Sequence, residues 1–406
     1  MIDIKAARAD PDTWRSALVR KRAADDFDAL LEADSTWLEL VPKVDELRAK
    51  TKLKGKPSPE QIEELKGVKA ELQRLEADLV EAERRRAELL DRVPNPPDPS
   101  APDGFEEEDA VELRRVGEPP KIADPKDHLE LARIDMERGA RLSGSRFAYR
   151  VGAAALLELA VYRFALDRAV AKGFVPVLPP VLVREQAMYG TGFLPTDEVN
   201  IYHVERDDLY LTGTSEVALA GLHMGEILEA SELPLRYAGF STCFRREAGA
   251  AGKDTRGMFR VHQFDKVEMF VFCLPEASPD EHERLLANEE ELVRELGIPY
   301  RVMNIAAGDL GAGASKKYDI EAWFPGQQRY REITSTSNTT DFQSRRLDVR
   351  YRGERGPEHV HTLNGTAVTA RAMIAVLENF QDEGGAVTIP EVLVQFGAPS
   401  RIEPGS

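Results

Sequence analysis

The sequence predicts an α+β protein, in which an N-terminal antiparallel coiled-coil hairpin precedes a larger domain with a mostly antiparallel sheet flanked by helices. Two observations lead to this prediction. Apolar residues recur at alternating steps of three and four over residues 59–92, which is the spacing of a coiled-coil helix. From about residue 124, short strand-like segments alternate with helical ones, without the regular βαβ spacing of a doubly wound fold.

The hairpin consists of two predicted helices, over about 26–53 and from 59 to about 92, joined by the turn KGKPSPE. The short turn favours pairing of the two helices within one chain, and a second chain is the alternative partner. Pro42 lies inside the first helix and predicts a kink, because proline cannot donate a backbone hydrogen bond. Arg86 interrupts the apolar seam of the second helix.

Basic residues gather at the tip of this hairpin and on its return helix. Such a cluster is commonly a solvated face. In a chain with a net charge of −17, a basic projecting rod is also suited to contact a phosphate backbone. The candidates for nucleic-acid contact are Lys50, Lys52, Lys54, Lys56, Arg84 and Arg85.

The composition excludes several classes of protein. The net charge of −17 argues against a general nucleic-acid binder. Two cysteines, Cys243 and Cys273, are too few for a disulfide framework or a structural zinc site. The N-terminus lacks the order of a signal peptide, and Glu158 and Arg163 interrupt the most apolar segment. We therefore expect a cytoplasmic protein with no membrane span.

The first hundred residues are predicted to form one domain, followed by a linker over 101–123 and a second domain over 124–406. The linker is predicted from a Pro-rich, acidic stretch that begins near residue 93. In the second domain, a helix over about 153–172 ends at Gly173 and leads into a strand. The last unit is predicted as a strand, a turn at Gly365 and a helix.

An unusual concentration of charge marks the segment 240–273, which is predicted to be two strands joined by a long polar loop. Strand alternation would place Arg245 and Glu247 on one face of the first strand. It would also place one set of residues on one face of the second: Arg260, His262, Phe264, Lys266, Glu268 and Phe270. An ordinary amphipathic sheet is the alternative, but the opposite face is only partly apolar. The pattern favours a floor for a nucleotide and a small charged molecule.

The order of segments resembles the class II aminoacyl-tRNA synthetases, and within them the bacterial-type seryl-tRNA synthetases. Residues 153–180 resemble motif 1 of that class, residues 238–270 motif 2, and residues 361–381 motif 3. The motif 2 match includes FRREAG and FRVHQFDKVE, and the motif 3 match is LNGTAVTAR. With TGTSE and REITSTSN these segments form a specific signature, and the resemblance extends over nearly the whole chain.

The resemblance implies an ATP site with Mg²⁺. It implies that Arg245 holds the α-phosphate and the substrate carboxylate, and that Glu247 orients the adenine. Adenine would stack on Phe264, and Arg371 would clamp the other side of the purine and reach the γ-phosphate. Arg245, Glu247 and Arg371 are the expected catalytic residues. The further ATP-binding residues are Arg246, Arg260, Glu332, Ile333, Thr334 and Ser335, of which Glu332 and Ser335 would also hold the metal.

The resemblance also implies a serine pocket and a tRNA partner. The expected serine-binding residues are Thr214, Ser215, Glu216, Arg245, Glu268, Asn364 and Thr366. His262 is expected to have a structural role. Lys253 and Arg256 would contact the acceptor end of the tRNA, or else belong to a surface loop without that role.

These expectations combine into a homodimeric enzyme that activates serine with ATP and transfers it to serine tRNA, which the hairpin grips. The alternatives are a paralogue that loads another acceptor and a binding protein that has lost catalysis. The basic rod argues against the first, and the retained charged residues argue against the second. Motif 3 departs from the family form, because the spacing from Asn364 to Arg371 is one residue shorter.

Overall fold

The computed structural model describes residues 1–52, 58–248, 254, 256–354 and 356–405. The chain divides into two compact units, Met1–Pro96 and Pro97–Ser406. The helices of the described residues are α1 (Ile4–Ala9), α2 (Pro11–Val19), α3 (Ala24–Thr51), α4 (Pro59–Arg92), α5 (His128–Leu131), α6 (Met136–Ser143), α7 (Ala153–Ala171), α8 (Glu185–Thr191), α9 (Glu216–Ala220), α10 (Ser278–Glu295), α11 (Phe342–Leu347), α12 (Ala370–Asn379) and α13 (Glu391–Val394).

The strands of the described residues all lie in the second unit. They are β1 (Val111–Val116), β2 (Ile134–Asp135), β3 (Tyr149–Arg150), β4 (Val175–Val177), β5 (Leu182–Val183), β6 (Tyr202–Val204), β7 (Leu209–Leu211), β8 (Ile227–Leu228), β9 (Leu235–Phe244), β10 (Gln263–Cys273), β11 (Tyr300–Asn304), β12 (Lys316–Phe324), β13 (Arg329–Thr340), β14 (Arg350–Gly353), β15 (Gly356–His359), β16 (His361–Thr369), β17 (Val387–Thr388) and β18 (Arg401–Ile402).

The first unit confirms the predicted antiparallel hairpin. Helix α4 begins at a capping box, in which Ser58 and Gln61 satisfy each other's backbone amides. Arg48 near the end of α3 pairs with Glu76 in α4 at 2.9 Å, which joins the two helices. Helix α3 continues through Pro42 rather than ending there.

Arg86 is not a defect in the seam, because it has a buried partner. Its Nε lies 2.6 Å from Asp34, whose side chain is fully buried and is also 2.8 Å from Arg8. The Arg86 guanidinium lies 4.7 Å from the ring centre of Trp37. At this position the helices therefore meet through a buried carboxylate held between two arginines, rather than through an apolar contact.

Eight strands of the second unit form one sheet in the order β1-β11-β12-β13-β16-β10-β9-β4. All neighbours are antiparallel except β4 and β9, which confirms the predicted mostly antiparallel sheet. Helices α7, α10 and α12 bury apolar side chains against the strands in the main core. Cys243 and Cys273 are buried free thiols in β9 and β10.

The prediction of a linker over 101–123 is wrong. Strand β1 lies inside that range and pairs with β11 at the edge of the sheet. The preceding irregular chain is also bonded to the second unit, with the Asp98 amide donating to the Ser315 carbonyl at 2.8 Å. Proline and acidic residues correctly predict irregular backbone, but such backbone can still pack on a domain. The second unit therefore begins near Pro97 rather than at residue 124.

Two local predictions in the second unit also need correction. Gly365 lies within strand β16 rather than in a turn, and α12 follows that strand directly. Strand β9 ends at Phe244 and β10 begins at Gln263. Arg245, Glu247, Arg260 and His262 therefore lie in the connection between the strands, and strand alternation does not place them.

None of the helices in the described ranges combines the length and the apolar character needed to cross a membrane.

Candidate active site

A cavity of about 590 Å³ opens on one face of the sheet in the second unit. We call the side of the sheet that bears Ser335, Thr366 and Glu268 the cavity face. The sequence-predicted residues that line the cavity are Thr214, Glu216, Arg245, Glu247, Arg260, Phe264, Glu268, Glu332, Ile333, Ser335, Asn364, Thr366 and Arg371.

Two β-bulges place lining residues on the cavity face. In β13, the register with β12 skips Ile333, so Glu332 points to the same side as Ser335 instead of the opposite side. In β16, the register with β10 skips Ala367, so Thr369 joins Thr366 and Asn364 on the cavity face. Arg371 follows in the first turn of α12, whose first residue is Ala370.

A cluster of two arginines and an aromatic ring forms one part of the cavity. Arg245 donates from Nε to the Gly213 carbonyl at 3.1 Å, and its guanidinium carbon lies 5.3 Å from the ring centre of Phe264. Arg371 donates from Nη1 to the Glu332 carbonyl at 2.8 Å. These contacts hold one guanidinium group over an aromatic face and a second one elsewhere in the same cavity, an arrangement that suits a nucleotide with charged phosphates.

Glu247 is held by its backbone and by one ion pair. Its φ of 51° lies in the left-handed region, which turns the chain after Arg246. The amide of the next residue, Ala248, donates to Asn200 at 2.9 Å. The Glu247 carboxylate pairs with the Arg260 guanidinium inside the cavity. Both side chains are thereby oriented before any ligand binds.

Cations around Glu332 keep it ionised. Enclosure in the cavity raises the pKa of Glu332, but Lys317, Arg371 and Arg245 outweigh this effect and hold the pKa below its usual range. The neighbouring Asp319 shows the opposite result, because burial raises its pKa to about 7 despite its contact with Lys317. Glu332 is therefore the better anionic ligand of the two.

Glu332 and Ser335 fit a magnesium ion only if a substrate supplies further ligands. They offer one carboxylate and one hydroxyl on the cavity face, and Mg²⁺ commonly uses one or two protein carboxylates together with phosphate oxygens and water. Within the described residues, no group of three or more His, Cys, Asp or Glu side chains is arranged to hold a metal ion.

Amide donors converge on Glu216 in another part of the cavity. Its Oε1 accepts from Gln343 Nε2 at 2.7 Å and from Asn364 Nδ2 at 2.9 Å, and its own amide donates to Thr214 at 3.2 Å. Burial, followed by the negative charge of Glu268, raises the pKa of Glu216 to about 7. Protonation of this carboxyl is therefore finely balanced near neutral pH.

Glu268 lies at the bottom of the same region and is 1% exposed. It forms an ion pair with the buried Lys266 two residues earlier on the strand. Thr366 on the neighbouring strand donates to Glu268 at 3.4 Å. The prediction that Phe264 and Glu268 address one cavity agrees with this placement.

Three expected binding residues do not line the cavity. Ser215 is buried and bonds to the Gly239 carbonyl at 3.3 Å, and Thr334 points to the opposite face of the sheet. The Arg246 guanidinium carbon lies 5.9 Å from the Tyr202 ring centre. His262 Nδ1 lies 2.9 Å from the Arg245 carbonyl oxygen, in keeping with a structural role.

The expected tRNA-contacting residues lie on exposed surface or outside the described residues. Arg256 pairs with Asp127 at 2.7 Å, Lys50 pairs with Glu46 at 2.8 Å, and Arg84 pairs with Glu81 at 2.6 Å. Lys52 and Arg85 are exposed. Lys54, Lys56 and Lys253 lie outside the described residues.

Sequence reasoning missed several lining residues. Gln343, in α11, orients Glu216 although no predicted motif contains it. Lys266 was placed on the right strand face but was given no role. Lys317 lines the cavity from β12, the strand next to β13, and the alternation of residues along β12 could have suggested this position. Two loop segments, 191–197 and 311–314, contribute further lining residues that carry no sequence signal for this role.

The comparisons with known proteins agree with the fold. Residues 201–380 match the family described as tRNA synthetase class II core domain (G, H, P, S and T). The domain that contains the antiparallel sheet is thus that of a class II aminoacyl-tRNA synthetase. Residues 1–97 match the seryl-tRNA synthetase N-terminal domain. The chain belongs to the seryl-tRNA synthetase family.

Full-length relatives support this assignment. The chain is 51% identical over 410 residues to the serine--tRNA ligase of Mycolicibacterium vanbaalenii, with 98% of each chain covered. It is 49% identical over 420 residues to that of Rhodococcus jostii, with 100% of each covered.

Solved structures are also similar over the full length. The seryl-tRNA synthetase of Pyrococcus horikoshii complexed with ATP matches with a TM-score of 0.93 and 41% identity, with 100% of each chain covered. The cytoplasmic serine-tRNA ligase of Naegleria fowleri in complex with AMP matches with a TM-score of 0.88 and 32% identity, over 98% of this chain and 96% of the other.

Proposed function

We propose that the protein is a serine--tRNA ligase. It forms seryl adenylate from L-serine and ATP, and it then transfers the seryl group to the 3′ end of serine tRNA. The observation that carries the proposal is that one cavity holds two fixed arginines, one of them over an aromatic ring, together with two carboxylates held by polar side chains. The arginines and the ring suit a nucleoside triphosphate, and the carboxylates suit a small molecule with an ammonium group and a hydroxyl.

Both chemical steps need positioning and charge stabilisation rather than a covalent enzyme intermediate. In the first step, the serine carboxylate attacks the α-phosphorus and pyrophosphate leaves. Negative charge then grows on the α-phosphate oxygens, and Arg245 is the cation we assign to it, with Arg371 toward the other phosphates. In the second step, a ribose hydroxyl of the tRNA attacks the seryl carbonyl and AMP leaves.

Glu332 and Ser335 are the residues we assign to Mg²⁺, which supplies positive charge to the phosphates when it is bound with ATP. In the serine pocket, we assign the substrate ammonium to Glu216 or Glu268, because a buried ammonium needs a carboxylate partner. Thr366 and Asn364 then provide short-range polar partners for the substrate hydroxyl, since an unpaired buried donor costs about 1–3 kcal/mol.

The hairpin of α3 and α4 is the part of the chain we assign to tRNA binding, with Lys52 and Arg85 as exposed cations on it. We further propose that the enzyme works as a homodimer, because residues 153–180 resemble motif 1, which forms the dimer interface in this family. We also propose that it works in the cytoplasm.

Transfer of labelled serine to total bacterial tRNA, with ATP and Mg²⁺, tests the proposal. Threonine, glycine and alanine serve as parallel substrates. We expect charging with serine alone. Serine-dependent release of AMP without charged tRNA would instead indicate an acceptor other than tRNA, and the absence of both products would refute the proposal.

A variant that lacks residues 27–92 tests the role of the hairpin. We expect it to keep serine-dependent exchange between ATP and pyrophosphate, because the cavity lies wholly in the second unit. We expect it to lose most tRNA charging. Equal charging by the shortened and the full-length protein would refute the role of the hairpin.

A further inference from the structure

A buried acid that the proposed chemistry does not use lies behind the cavity. Glu289 is in helix α10, and its side chain is completely buried. Its Oε2 accepts from Thr334 Oγ1 at 3.0 Å, while its Oε1 has no hydrogen-bond partner among the described residues. Since Thr334 points away from the cavity, Glu289 lies on the face of the sheet opposite the cavity face.

Gly365 provides the space that the Glu289 carboxyl occupies. A Cβ atom at position 365 would lie 2.8 Å from Glu289 Oε1 and 3.2 Å from Thr336 Oγ1. Gly365 stands between Asn364 and Thr366, which both line the cavity. The acid therefore fills the gap left by a missing side chain, directly behind two residues of the proposed serine pocket.

Three carboxylates act electrostatically on Glu289: Glu268 on β10, Asp319 on β12 and Glu332 on β13. Lys266 pairs with the first and Lys317 with the second. Burial above all, and then these carboxylates, raise the pKa of Glu289 well above its usual range, although the bond from Thr334 opposes the shift. An ionised Glu289 would be a buried charge that pairs with no cation among the described residues.

We propose that Glu289 is a positioning residue, which supports the floor of the cavity as an uncharged carboxylic acid bonded to Thr334 through the gap at Gly365. As a neutral acid it holds β13 in place next to the lining residues Ile333 and Ser335. It does so without placing a negative charge behind a cavity that takes a carboxylate and a triphosphate. This last consequence rests on the proposed function.

The proposal makes a signed prediction about stability. An acid whose pKa is raised by folding keeps its proton in the folded protein after the unfolded chain has lost it. The unfolded pKa of a glutamic acid is about 4.3, so the stability of the wild type falls as the pH rises above that value, until the folded pKa is reached. In that window, ionisation of this one group in the unfolded chain raises the unfolding equilibrium constant by up to about tenfold per pH unit.

The test compares wild type, Glu289→Gln and Glu290→Gln by denaturant unfolding between about pH 5 and pH 8. The glutamine at 289 keeps the shape and the hydrogen bond but cannot ionise. We expect this variant to gain stability relative to wild type as the pH rises, by up to about tenfold in the equilibrium constant per unit. Parallel pH curves would refute a neutral Glu289. Failure of this variant to fold would also refute it, because a neutral side chain of the same shape would then be inadequate.

Glu290 is a matched control on the same helix. It accepts hydrogen bonds from Arg114 and from Tyr300, the latter at 3.0 Å. Burial raises the pKa of Glu290, but the bonds from Arg114 and Tyr300 outweigh it and lower the pKa. The contribution of ionised Glu290 to the free energy of unfolding is therefore complete above about pH 5. We expect the loss of stability in Glu290→Gln to be constant across the same pH range.

A kinetic measurement tests the positioning role. We expect Glu289→Leu, which loses the bond to Thr334, to raise the KM for serine about 2- to 10-fold in ATP–pyrophosphate exchange. We expect Glu289→Gln to restore the wild-type KM. An equal rise in both variants would refute positioning by a neutral acid. If wild type itself shows no serine-dependent exchange, the proposed function fails, while the pH comparison still decides the state of Glu289.

Discussion

Gln343→Leu removes an amide that favours the ionised form of Glu216 in the proposed serine pocket. Gln343 Nε2 donates to Glu216 Oε1 at 2.7 Å, and its own Oε1 accepts from Thr362 Oγ1 at 2.9 Å. The pKa of Glu216 is already raised to about 7, and the bond from Gln343 acts to lower it. Leucine has a similar length but no donor, so the ionised form of Glu216 loses one of its two amide partners.

The expected effect follows from the strength of that bond. A hydrogen bond to a charged group contributes about 1.5–3 kcal/mol, and each 1.36 kcal/mol corresponds to about tenfold. If the ionised Glu216 binds the serine ammonium, KM for serine should rise about 7- to 80-fold at neutral pH, where Glu216 of the wild type is itself about half ionised. The rise should shrink as the pH increases, because Glu216 then ionises in the variant as well.

The assay is serine-dependent ATP–pyrophosphate exchange between about pH 6 and pH 9, with circular dichroism to confirm folding. Gln395→Leu is the control, because Gln395 is exposed on the surface. An unchanged KM would refute the role of Gln343. A raised KM with the same ratio to wild type at every pH would mean that geometry, rather than the ionisation of Glu216, accounts for the effect.

Two further predictions concern other parts of the chain. Arg245→Ala should reduce ATP–pyrophosphate exchange by at least about 10²-fold. Arg246→Ala should leave the exchange nearly unchanged, because Arg246 lies outside the cavity, with its guanidinium carbon 5.9 Å from the Tyr202 ring centre. Equal losses of steady-state exchange in the two variants would contradict this assignment. Asp34→Ala should lower the free energy of unfolding by about 1–3 kcal/mol in urea denaturation followed by circular dichroism, because it leaves Arg8 and Arg86 without their shared partner. The control Asp28→Ala breaks a half-exposed pair with Arg15 at 2.9 Å and should cost less than about 1 kcal/mol, so similar losses would argue against the buried clamp.

The hairpin was predictable because local spacing determines it. The predicted seam positions Leu65, Val68, Leu72, Leu75 and Leu79 are partly buried, while most of the residues between them are exposed. The partner of Arg86 was not predictable, because Asp34 lies 52 residues earlier in the chain and nothing local to Arg86 indicates the pair. Spacing shows which side of a helix is buried but not which polar residues meet across it.

In the cavity, too, some positions were predictable from local spacing and others were not. Phe264 and Glu268 share a regular strand, so alternation correctly placed them on one side. Arg245 and Glu247 reach the cavity through an irregular turn, and Glu332 reaches it through a bulge. Irregular backbone breaks the period on which the sequence argument depends. The charge pattern drew attention to Arg245 and Glu247, but their roles and that of Glu332 came from the family resemblance. Gln343, which no motif contained, was missed.

The bulges at Ile333 and Ala367 make the site sensitive to local backbone conformation as well as to residue type. Each bulge changes the side of the sheet to which the following residues point. In both pairs, Glu332 with Ser335 and Thr366 with Thr369, the members are three residues apart, a spacing that a regular strand would place on opposite faces of the sheet. A variant that keeps every residue but straightens one of the bulges would therefore turn one member of that pair away from the other, whereas deletion of the extra residue would leave both on the same side. Alignments and engineered variants of this chain therefore need to keep each bulge wherever they keep the spacing of three.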